Sequence, residues 1–263
     1  LYINLDKDTE RNDFMQKQLK ELGFEYERVS GVDGRELSET EVAELYDSET
    51  SKKYNKKDLT RGEIGCALSH KKCHEMALNH DYTLILEDDI ELPENFKEIV
   101  EQQIAVNKNK IKWDYLQFDY PPTGPVFVKR WFGSTSLYMK THFKEVPFYK
   151  KIAYIGFSFI KFMYVAPLSL LEGLRNGIYE SLNTNKAVTF YRPLYFAGCY
   201  LVTIEGAKGI LSLEEKIIYA ADRVQNQARI KEKLSLRALC PLIVKQKRAE
   251  FGSSILGVKS IKY

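Results

Sequence analysis

The sequence lacks the glycine-rich loops with which the commonest nucleotide-binding folds hold phosphate. Neither GxGxxG nor GxxxxGKS/T occurs in its 263 residues, which argues against a Rossmann dehydrogenase and against a P-loop NTPase. It also lacks a concentrated basic stripe, since the net charge is only +3, and we therefore expect no nucleic-acid partner. Internal repeats and low-complexity tracts are missing as well.

Cysteine is scarce, and its spacing is not that of a disulfide framework. The four cysteines are Cys66, Cys73, Cys199 and Cys240, and no two of them have the paired spacing of small secreted domains. We therefore expect free thiols and a cytoplasmic protein. The chain opens on strand-like residues instead of a signal peptide, and because it does not begin with Met we expect a few residues before Leu1.

The residues that are present favour an α/β fold. Hydrophobic residues make up 44% of the chain, which suits one large domain with a full core. Strand patterns and helix patterns alternate through the first half, with strands at 2–5, 24–29, 82–86 and 115–118 and helices at 9–22, 38–46, 61–79 and 95–106. This alternation predicts a mainly parallel sheet covered by helices. The polar, lysine-rich residues 47–57 predict a mobile loop.

The second half has less regular patterns. Residues 121–193 are aromatic-rich and irregular, strand character returns at 196–203, and the tail from 241 is basic and loop-like. Residues 152–171 form an apolar run about as long as the roughly 20 residues of a membrane span, although Lys161 and Pro167 interrupt it. A buried part of the core is one interpretation. We favour a segment that covers the acceptor site and touches the bilayer peripherally.

Three consecutive carboxylates, Glu87, Asp88 and Asp89, follow the apolar strand pattern at 82–86. Open α/β sheets bind ligands at the carboxyl ends of their strands, and a divalent cation would relieve the repulsion among the three charges. Hard oxygen ligands suit Mg²⁺ or Mn²⁺, either of which can bridge a diphosphate. On these residues alone, a solvated acidic cap explains the triplet equally well.

Cys66, His70, Cys73 and His74 recur at helical spacing, which raises zinc as an alternative ligand. One helix face does not easily close four ligands around a tetrahedral ion, and no CxxC pair accompanies them. We therefore predict a structural helix whose His70 is directed at a donor substrate.

Four blocks of the sequence together resemble one enzyme family. They are INLD at 3–6 with Arg11, Met15 and Gln18, VDG at 32–34, GEIGCALSH at 62–70, and LEDD at 86–89; GCYLVT at 198–203, Gly206, Ala207 and Asp222 continue the pattern more loosely. In these blocks the chain resembles glycosyltransferase family 25, the bacterial lipooligosaccharide biosynthesis proteins related to animal collagen galactosyltransferases.

The resemblance implies a GT-A-like fold, which is a Rossmann-related mixed sheet flanked by helices. Residues 1–120 would bind the nucleotide sugar, and the aromatic-rich residues 121–263 would bind the acceptor. The implied reaction is an inverting transfer of a hexose, commonly galactose from UDP-galactose, onto a lipid-linked saccharide of lipopolysaccharide or lipooligosaccharide. Such an enzyme would work at the cytoplasmic face of the inner membrane.

The resemblance also assigns roles to single residues. The triplet stands in for a DxD motif, so that Glu87 lies near the ribose and the metal, Asp89 binds the metal, and Asp88 supports either. The remaining donor-site residues implied by the matching blocks are Asn4, Asp6, Arg11, Asp33, Gly34, Glu63, Ser69 and His70.

Inverting transfer needs a base that takes the proton of the acceptor hydroxyl. Asp222 is our first candidate because it matches the late aspartate of the family, although a surface pair with Arg223 is the plainer interpretation. Asp119, which follows the strand pattern at 115–118, is the second candidate. A transferase that uses UDP-glucose, a homologue that binds nucleotide without transfer, and a metal-dependent phosphatase or nuclease stay open as alternative functions.

Overall fold

The computed structural model describes residues 1–55, 57–109, 112–120, 148–182, 184–190 and 193–251. Its strands are β1 (Tyr2–Asn4), β2 (Arg28–Ser30), β3 (Tyr82–Glu87), β4 (Ile90–Glu91), β5 (Tyr115–Gln117), β6 (Lys186–Val188), β7 (Cys199–Thr203), β8 (Leu236–Cys240) and β9 (Lys245–Gln246). Its helices are α1 (Thr9–Glu21), α2 (Glu39–Leu45), α3 (Ser48–Asn55), α4 (Arg61–Ala77), α5 (Phe96–Asn109), α6 (Phe148–Ser181), α7 (Ile204–Leu211), α8 (Ala221–Lys231) and α9 (Arg248–Phe251).

A mixed sheet of seven strands, in the order β2-β1-β3-β7-β5-β8-β6, organises the described residues. Strand β1 pairs in parallel with β2 and β3, whereas β7 runs antiparallel to both β3 and β5. Strand β8 is parallel to β5 and antiparallel to β6. The predicted α/β, GT-A-like architecture with flanking helices is confirmed, and the antiparallel β7 and β6 make the sheet more mixed than the alternation of patterns indicated.

Both faces of the sheet are buried, which explains the nearly continuous apolar runs in its central strands. In β3, Ile85 packs into one core cluster and Leu86 into the other. In β7, Tyr200 and Val202 face the first cluster, and Leu201 faces the second. This alternation of side chains fixes the register of β3 against β7, and with it the position of the carboxyl end of β3 in the sheet.

The loop predicted at 47–57 was wrong, because residues 48–55 form helix α3. Ser51 and Asn55 of this helix are buried. The Nδ2 of Asn55 donates to the carbonyl of Ile218 at 2.8 Å. A contact with a residue so distant in sequence stabilises a helix whose local composition favours a loop.

Two further expectations need correction. The strand expected from residue 24 begins only at Arg28. The tail expected to be a loop contains β9, which pairs antiparallel with β4 and joins Ile90 to Gln246 and Glu91 to Lys245.

The apolar run 152–171 lies inside α6, a helix of 34 residues that includes Pro167. The irregular structure predicted for 121–193 is therefore wrong over this helix, and residues 121–147 lie outside the described part of the chain. Among the described helices, none combines the length and the apolar character that a membrane crossing requires.

Candidate functional site

A cleft opens where the carboxyl ends of β1, β2 and β3 meet the first turns of α4. Its empty volume, open to solvent at the mouth, is about 710 Å³. Parallel strands bring their carboxyl ends to one edge of a sheet, and this edge gathers most of the predicted donor-site residues. Those that line the cleft are Asn4, Arg11, Asp33, Gly34, Ser69, His70, Glu87, Asp88 and Asp89.

Asp88 is the anchored member of the acidic triplet. Its Oδ1 accepts a hydrogen bond from Nη1 of Arg11 at 2.8 Å, and its Oδ2 accepts one from Nδ2 of Asn4 at 2.8 Å. Burial raises the pKa of Asp88, and the charge of Arg11 opposes that rise. Since Arg11 also donates to the carbonyl of Phe251 at 3.2 Å, the cleft wall already engages the guanidinium that was predicted to face the donor.

Glu87 presents its carboxylate to the open part of the cleft. Its side chain is 23% exposed, and Oε1 lies 3.4 Å from Nε2 of His70. The Sγ of Cys66 lies 3.9 Å from the same oxygen, and Oε2 accepts a hydrogen bond from Nε2 of Gln246 at 3.4 Å. The backbone N–H of Lys247 donates to the carbonyl of Asp89 at 2.7 Å. The segment after β8 thus packs against the triplet, a contact that no local sequence pattern indicates.

Two cations beside Asp33 were missed by the sequence analysis. Lys7 forms an ion pair with one carboxylate oxygen of Asp33, and Nε of Arg35 donates to the other at 2.9 Å. Burial alone would raise the pKa of Asp33, but the hydrogen bonds from Arg35 and Lys7 hold it well below its usual value. The only signal in the sequence is that Lys7 and Arg35 are adjacent to predicted residues, Asp6 and Gly34.

Ser69 fixes the loop that carries Asp33. Its Oγ accepts the backbone N–H of Val32 at 2.8 Å and donates to the carbonyl of Gly65 at 2.7 Å. The residue predicted to bind the donor therefore also ties the loop after β2 to α4.

Asp6 and Glu63 do not line this cleft, in contrast to the prediction. The side chain of Asp6 is 75% exposed and pairs with Arg28 at 2.5 Å. Glu63 caps α4, since its Oε2 accepts the backbone N–H of Thr60 at 2.7 Å, and its Oε1 accepts from Lys57 at 2.9 Å. Glu63 instead lines a second cavity.

The second cavity brings Asp222 next to the triplet. Its empty volume is about 550 Å³, and it shares Cys66 and Glu87 with the cleft. Asp222 lies in the first turn of α8. Burial raises the pKa of Asp222, the charge of Arg223 opposes this, and the charge of Glu87 adds to it. A carboxylate with a raised pKa, facing a cavity, suits a general base.

Asp119, the second candidate base, is a structural residue in this fold. It is buried, and it lines neither the cleft nor the second cavity. Its Oδ2 accepts the N–H of Gly198 at 2.9 Å, and its Oδ1 accepts that of Cys199 at 3.0 Å. Burial, with the charge of Glu87 in addition, raises the pKa of Asp119 to about 8. An acceptor hydroxyl cannot reach a carboxylate so enclosed, so of the two predicted candidates only Asp222 faces a cavity.

The four residues considered as a zinc tetrad do not converge. All the cysteines are free thiols, as predicted. Cys73 packs into the core under the sheet, and His74 contacts Tyr200 and Glu214. Cys66 and His70 alone reach the cleft, because they are one turn apart on the same face of α4.

The close approach of α4 to the loop after β2 requires glycine on both sides. A Cβ on Gly65 would lie 2.4 Å from the backbone nitrogen of Gly34 and 2.4 Å from the carbonyl oxygen of Val32. A Cβ on Gly34 would lie 1.8 Å from the carbonyl oxygen of Arg61. These are backbone atoms that cannot move independently, so the two glycines set the width of the cleft.

Replacing Gly65 by alanine is expected to displace the 31–35 loop and to destabilise the protein by about 1–3 kcal/mol, the usual cost of overpacking. The matched control is Gly156→Ala in α6, where a Cβ would meet nothing within 4 Å, and where alanine should be neutral or stabilising by about 0.5–1 kcal/mol. Urea denaturation of both variants measures the difference. Equal stabilities of the two variants would contradict this view of the cleft wall.

The cleft has the chemistry of a divalent-cation site. Glu87 and Asp89 offer hard carboxylate oxygens, which Mg²⁺ and Mn²⁺ prefer. Burial is the largest cause of the raised pKa of Asp88, Asp119 and Asp222, and the negative charge of Glu87 raises the pKa of each of them further. A bound cation would relieve this concentration of negative charge, so the residues present fit the metal that the sequence predicted.

Comparison with known proteins supports one family. The sequence model of "Glycosyltransferase family 25 (LPS biosynthesis protein)" matches residues 1–225. "Glycosyltransferase 25 family member" of Aedes aegypti is 36% identical over 121 residues, which cover 44% of this chain and 20% of that protein. "Procollagen galactosyltransferase 2" of Mus musculus is 30% identical over 121 residues, which cover 43% of this chain and 19% of that protein.

A third relative carries a different name. "Probable inactive glycosyltransferase 25 family member 3" of Bos taurus is 29% identical over 133 residues, which cover 47% of this chain and 22% of that protein. The matches thus span about a fifth of the length of each relative. Because the family match extends over most of the chain and includes every residue that lines the cleft, this chain belongs to glycosyltransferase family 25.

Proposed function

We propose that this protein is a metal-dependent glycosyltransferase that moves galactose from UDP-galactose to a saccharide hydroxyl, with inversion at the anomeric carbon. The observation that supports this best is the position of Glu87, which lines both the cleft and the second cavity. A donor in the cleft and an acceptor in the second cavity would therefore meet at the acidic triplet, as a direct transfer between two substrates requires.

The donor half of the mechanism uses the triplet and its supports. Glu87 and Asp89 would hold Mn²⁺ or Mg²⁺, which neutralises charge on the departing diphosphate when bound. Asp88 keeps the triplet in place through its hydrogen bonds to Arg11 and Asn4. Lys7 and Arg35, at the rim beside Asp33, add the positive potential that attracts an anionic nucleotide.

The acceptor half rests on Asp222. Its carboxylate would accept the proton of the attacking hydroxyl while that oxygen bonds to the anomeric carbon and the bond to UDP breaks. If the hydroxyl attacks from the second cavity on the face of the anomeric carbon opposite the departing diphosphate, the configuration at that carbon inverts.

A thermal-shift assay tests whether the protein binds a UDP-sugar and which sugar the preferred donor carries. Galactose is proposed because the mouse relative is named a procollagen galactosyltransferase, and UDP-glucose is the alternative donor. At a concentration about 100 times its Kd, the true donor should stabilise the fold by about 2.7 kcal/mol, which corresponds to a rise in Tm of roughly 5–10 °C. The rise should require Mn²⁺. If none of the UDP-sugars raises the Tm, the proposal is contradicted.

The acceptor is proposed to be a lipid-linked saccharide of lipopolysaccharide or lipooligosaccharide, met at the cytoplasmic face of the inner membrane. The family description names lipopolysaccharide biosynthesis. Apolar side chains of α6 are exposed, among them Phe159, Ile160 and Leu174, and such side chains bind at the acyl boundary of a bilayer.

Peripheral membrane contact predicts that the protein sediments with anionic vesicles at low salt. The double variant Phe159→Ser/Ile160→Ser should lose most of this binding. A protein that stays in the supernatant under these conditions would contradict the proposed membrane contact. That result would not bear on the proposed donor site.

A nucleotide-binding protein without transfer is the second candidate, because one relative is named as inactive. It predicts the same Mn²⁺-dependent shift with UDP-sugars but no product with any saccharide acceptor. A phosphatase or nuclease would instead release phosphate or cleave nucleotide without forming a glycoside, so product analysis separates the three.

A further inference from the structure

A buried chain of hydrogen bonds runs from Glu214 to the cleft. The Oε2 of Glu214 lies 3.2 Å from Nδ1 of His74, and Nε2 of His74 lies 2.9 Å from the hydroxyl of Tyr200. The same hydroxyl lies 2.9 Å from Nδ1 of His70, whose Nε2 faces Oε1 of Glu87 at 3.4 Å. Glu214, His74, Tyr200 and His70 are each at least 97% buried, so solvent does not compete for these bonds.

These bonds can hold His70 in the tautomer that binds a metal through Nε2, with its proton on Nδ1. In that arrangement Nδ1 of His74 donates to Glu214, and Nε2 of His74 is an acceptor. The hydroxyl of Tyr200 then donates to Nε2 of His74, and its oxygen accepts from Nδ1 of His70. Every member is satisfied in this arrangement, and Nε2 of His70 is left with its lone pair pointing at the carboxylate of Glu87.

A cation between Nε2 of His70 and Oε1 of Glu87 would be bound by both atoms. The Sγ of Cys66 completes the group, and one atom from each of the three side chains lies within 4.8 Å of the other two. Around a tetrahedral Zn²⁺, normal bond lengths place ligand N and O about 3.4 Å apart, and ligand S and O about 3.6 Å apart. The corresponding distances here are 3.4 Å for His70 and 3.9 Å for Cys66, each measured to Oε1 of Glu87.

We propose that Cys66, His70 and Glu87 form a binding site for a divalent cation of borderline softness, such as Zn²⁺ or Co²⁺. Sulfur and imidazole ligands favour these ions over Mn²⁺ and Mg²⁺, so the site differs in ligand chemistry from the oxygen site at Glu87 and Asp89. On binding, the Cys66 thiol releases its proton to solvent and sulfur bonds to the metal as thiolate.

Tyr200, His74 and Glu214 act as positioning residues for this site. Ligand histidines usually donate their second ring N–H to a fixed acceptor, which sets the tautomer and the ring orientation, and loss of that acceptor costs about 10–100-fold in metal affinity. Tyr200 supplies the acceptor for His70, and its ring is itself held by stacking on Tyr115, with centroids 4.5 Å apart.

Titration of the full chain with Co²⁺, in the absence of nucleotide, tests the site. The expected result is one thiolate-bound ion per chain, seen as the near-ultraviolet charge-transfer band of a thiolate–cobalt bond together with the visible bands of tetrahedral cobalt. Cys66→Ser should lose the charge-transfer band. Cys73→Ser, on the same helix but packed in the core, is the matched control and should keep it.

The positioning role has a separate readout. Tyr200→Phe should weaken Co²⁺ binding about 10–100-fold, whereas Tyr115→Phe, its stacked neighbour, should leave the affinity within about threefold. An absence of Co²⁺ binding, or an unchanged charge-transfer band in Cys66→Ser, would overturn the proposal even if Tyr200→Phe failed to fold. Neither measurement involves sugar transfer, so the outcome is independent of the proposed donor and base.

Discussion

Asp222→Asn is expected to lower kcat by about 10²–10⁴-fold, the usual contribution of a general base, while UDP still binds. Asparagine keeps the size of the side chain but cannot take a proton. The variant should fold, because Asp222 lines a cavity and the amide can occupy the same space. Steady-state kinetics with UDP-galactose, together with the Kd for UDP, measures the two effects separately.

The plainer role for Asp222, a surface pair with Arg223, fits the structure less well. Nη1 of Arg223 contacts Oδ1 of Asn55 at 3.4 Å, and Asp222 itself lines the second cavity. The matched control is Glu232→Gln, which removes an exposed carboxylate at the opposite end of the same helix. Near-normal turnover by Asp222→Asn would show that the base lies elsewhere.

The same assignment predicts how turnover depends on pH. A base works only when it is unprotonated, and burial raises the pKa of Asp222 above its ordinary value of 3.8. Turnover of the wild type should therefore be full above this raised pKa and should fall as the pH is lowered through it. That acid limb should disappear from the residual activity of Asp222→Asn.

Asp89→Asn is expected to weaken Mn²⁺-dependent binding of UDP-sugars by at least about 100-fold. The substitution removes the charge of a direct metal ligand, and loss of a residue that only supports such a ligand already lowers metal affinity about 10–100-fold. Asp89 is buried at the cleft, and its backbone carbonyl is fixed by Lys247. The neutral amide should therefore occupy the position of the carboxylate. The loss of affinity would then result from the missing charge and not from a displaced side chain.

Asp13→Asn provides the control for this experiment, because Asp13 is an exposed carboxylate on α1 outside the cleft lining. Its affinity for the Mn²⁺–UDP-sugar should match the wild type. If Asp89→Asn binds the metal complex as tightly as Asp13→Asn does, the metal is held by other residues.

Local patterns predicted the part of the fold that sets the cleft. The strand at 82–86 was predictable because both of its faces are buried, which requires a continuous apolar run. The triplet followed from it, because the apolar run ends where the strand reaches the cleft. Asn4 and Asp88, which were both predicted to lie in the donor site, are brought together because parallel β1 and β3 end side by side.

The misses share one physical cause, which is dependence on distant residues. Helix α3 forms around a bond from Asn55 to Ile218, and Gln246 reaches Glu87 across 159 positions of the chain. Asp119 follows a strand pattern just as Glu87 does, but its carboxylate accepts hydrogen bonds from the backbone N–H groups of Gly198 and Cys199. The position of an acid directly after an apolar strand does not show which way its carboxylate turns.

Binding of UDP to the wild-type protein by isothermal titration calorimetry, with Mn²⁺ and then with EDTA, tests the proposed role of the acidic triplet most directly. We predict one UDP bound per chain in the presence of Mn²⁺ and a loss of measurable binding in EDTA. An equal affinity under both conditions, or no binding under either, would contradict the assignment of Glu87, Asp88 and Asp89 to a metal-held nucleotide sugar.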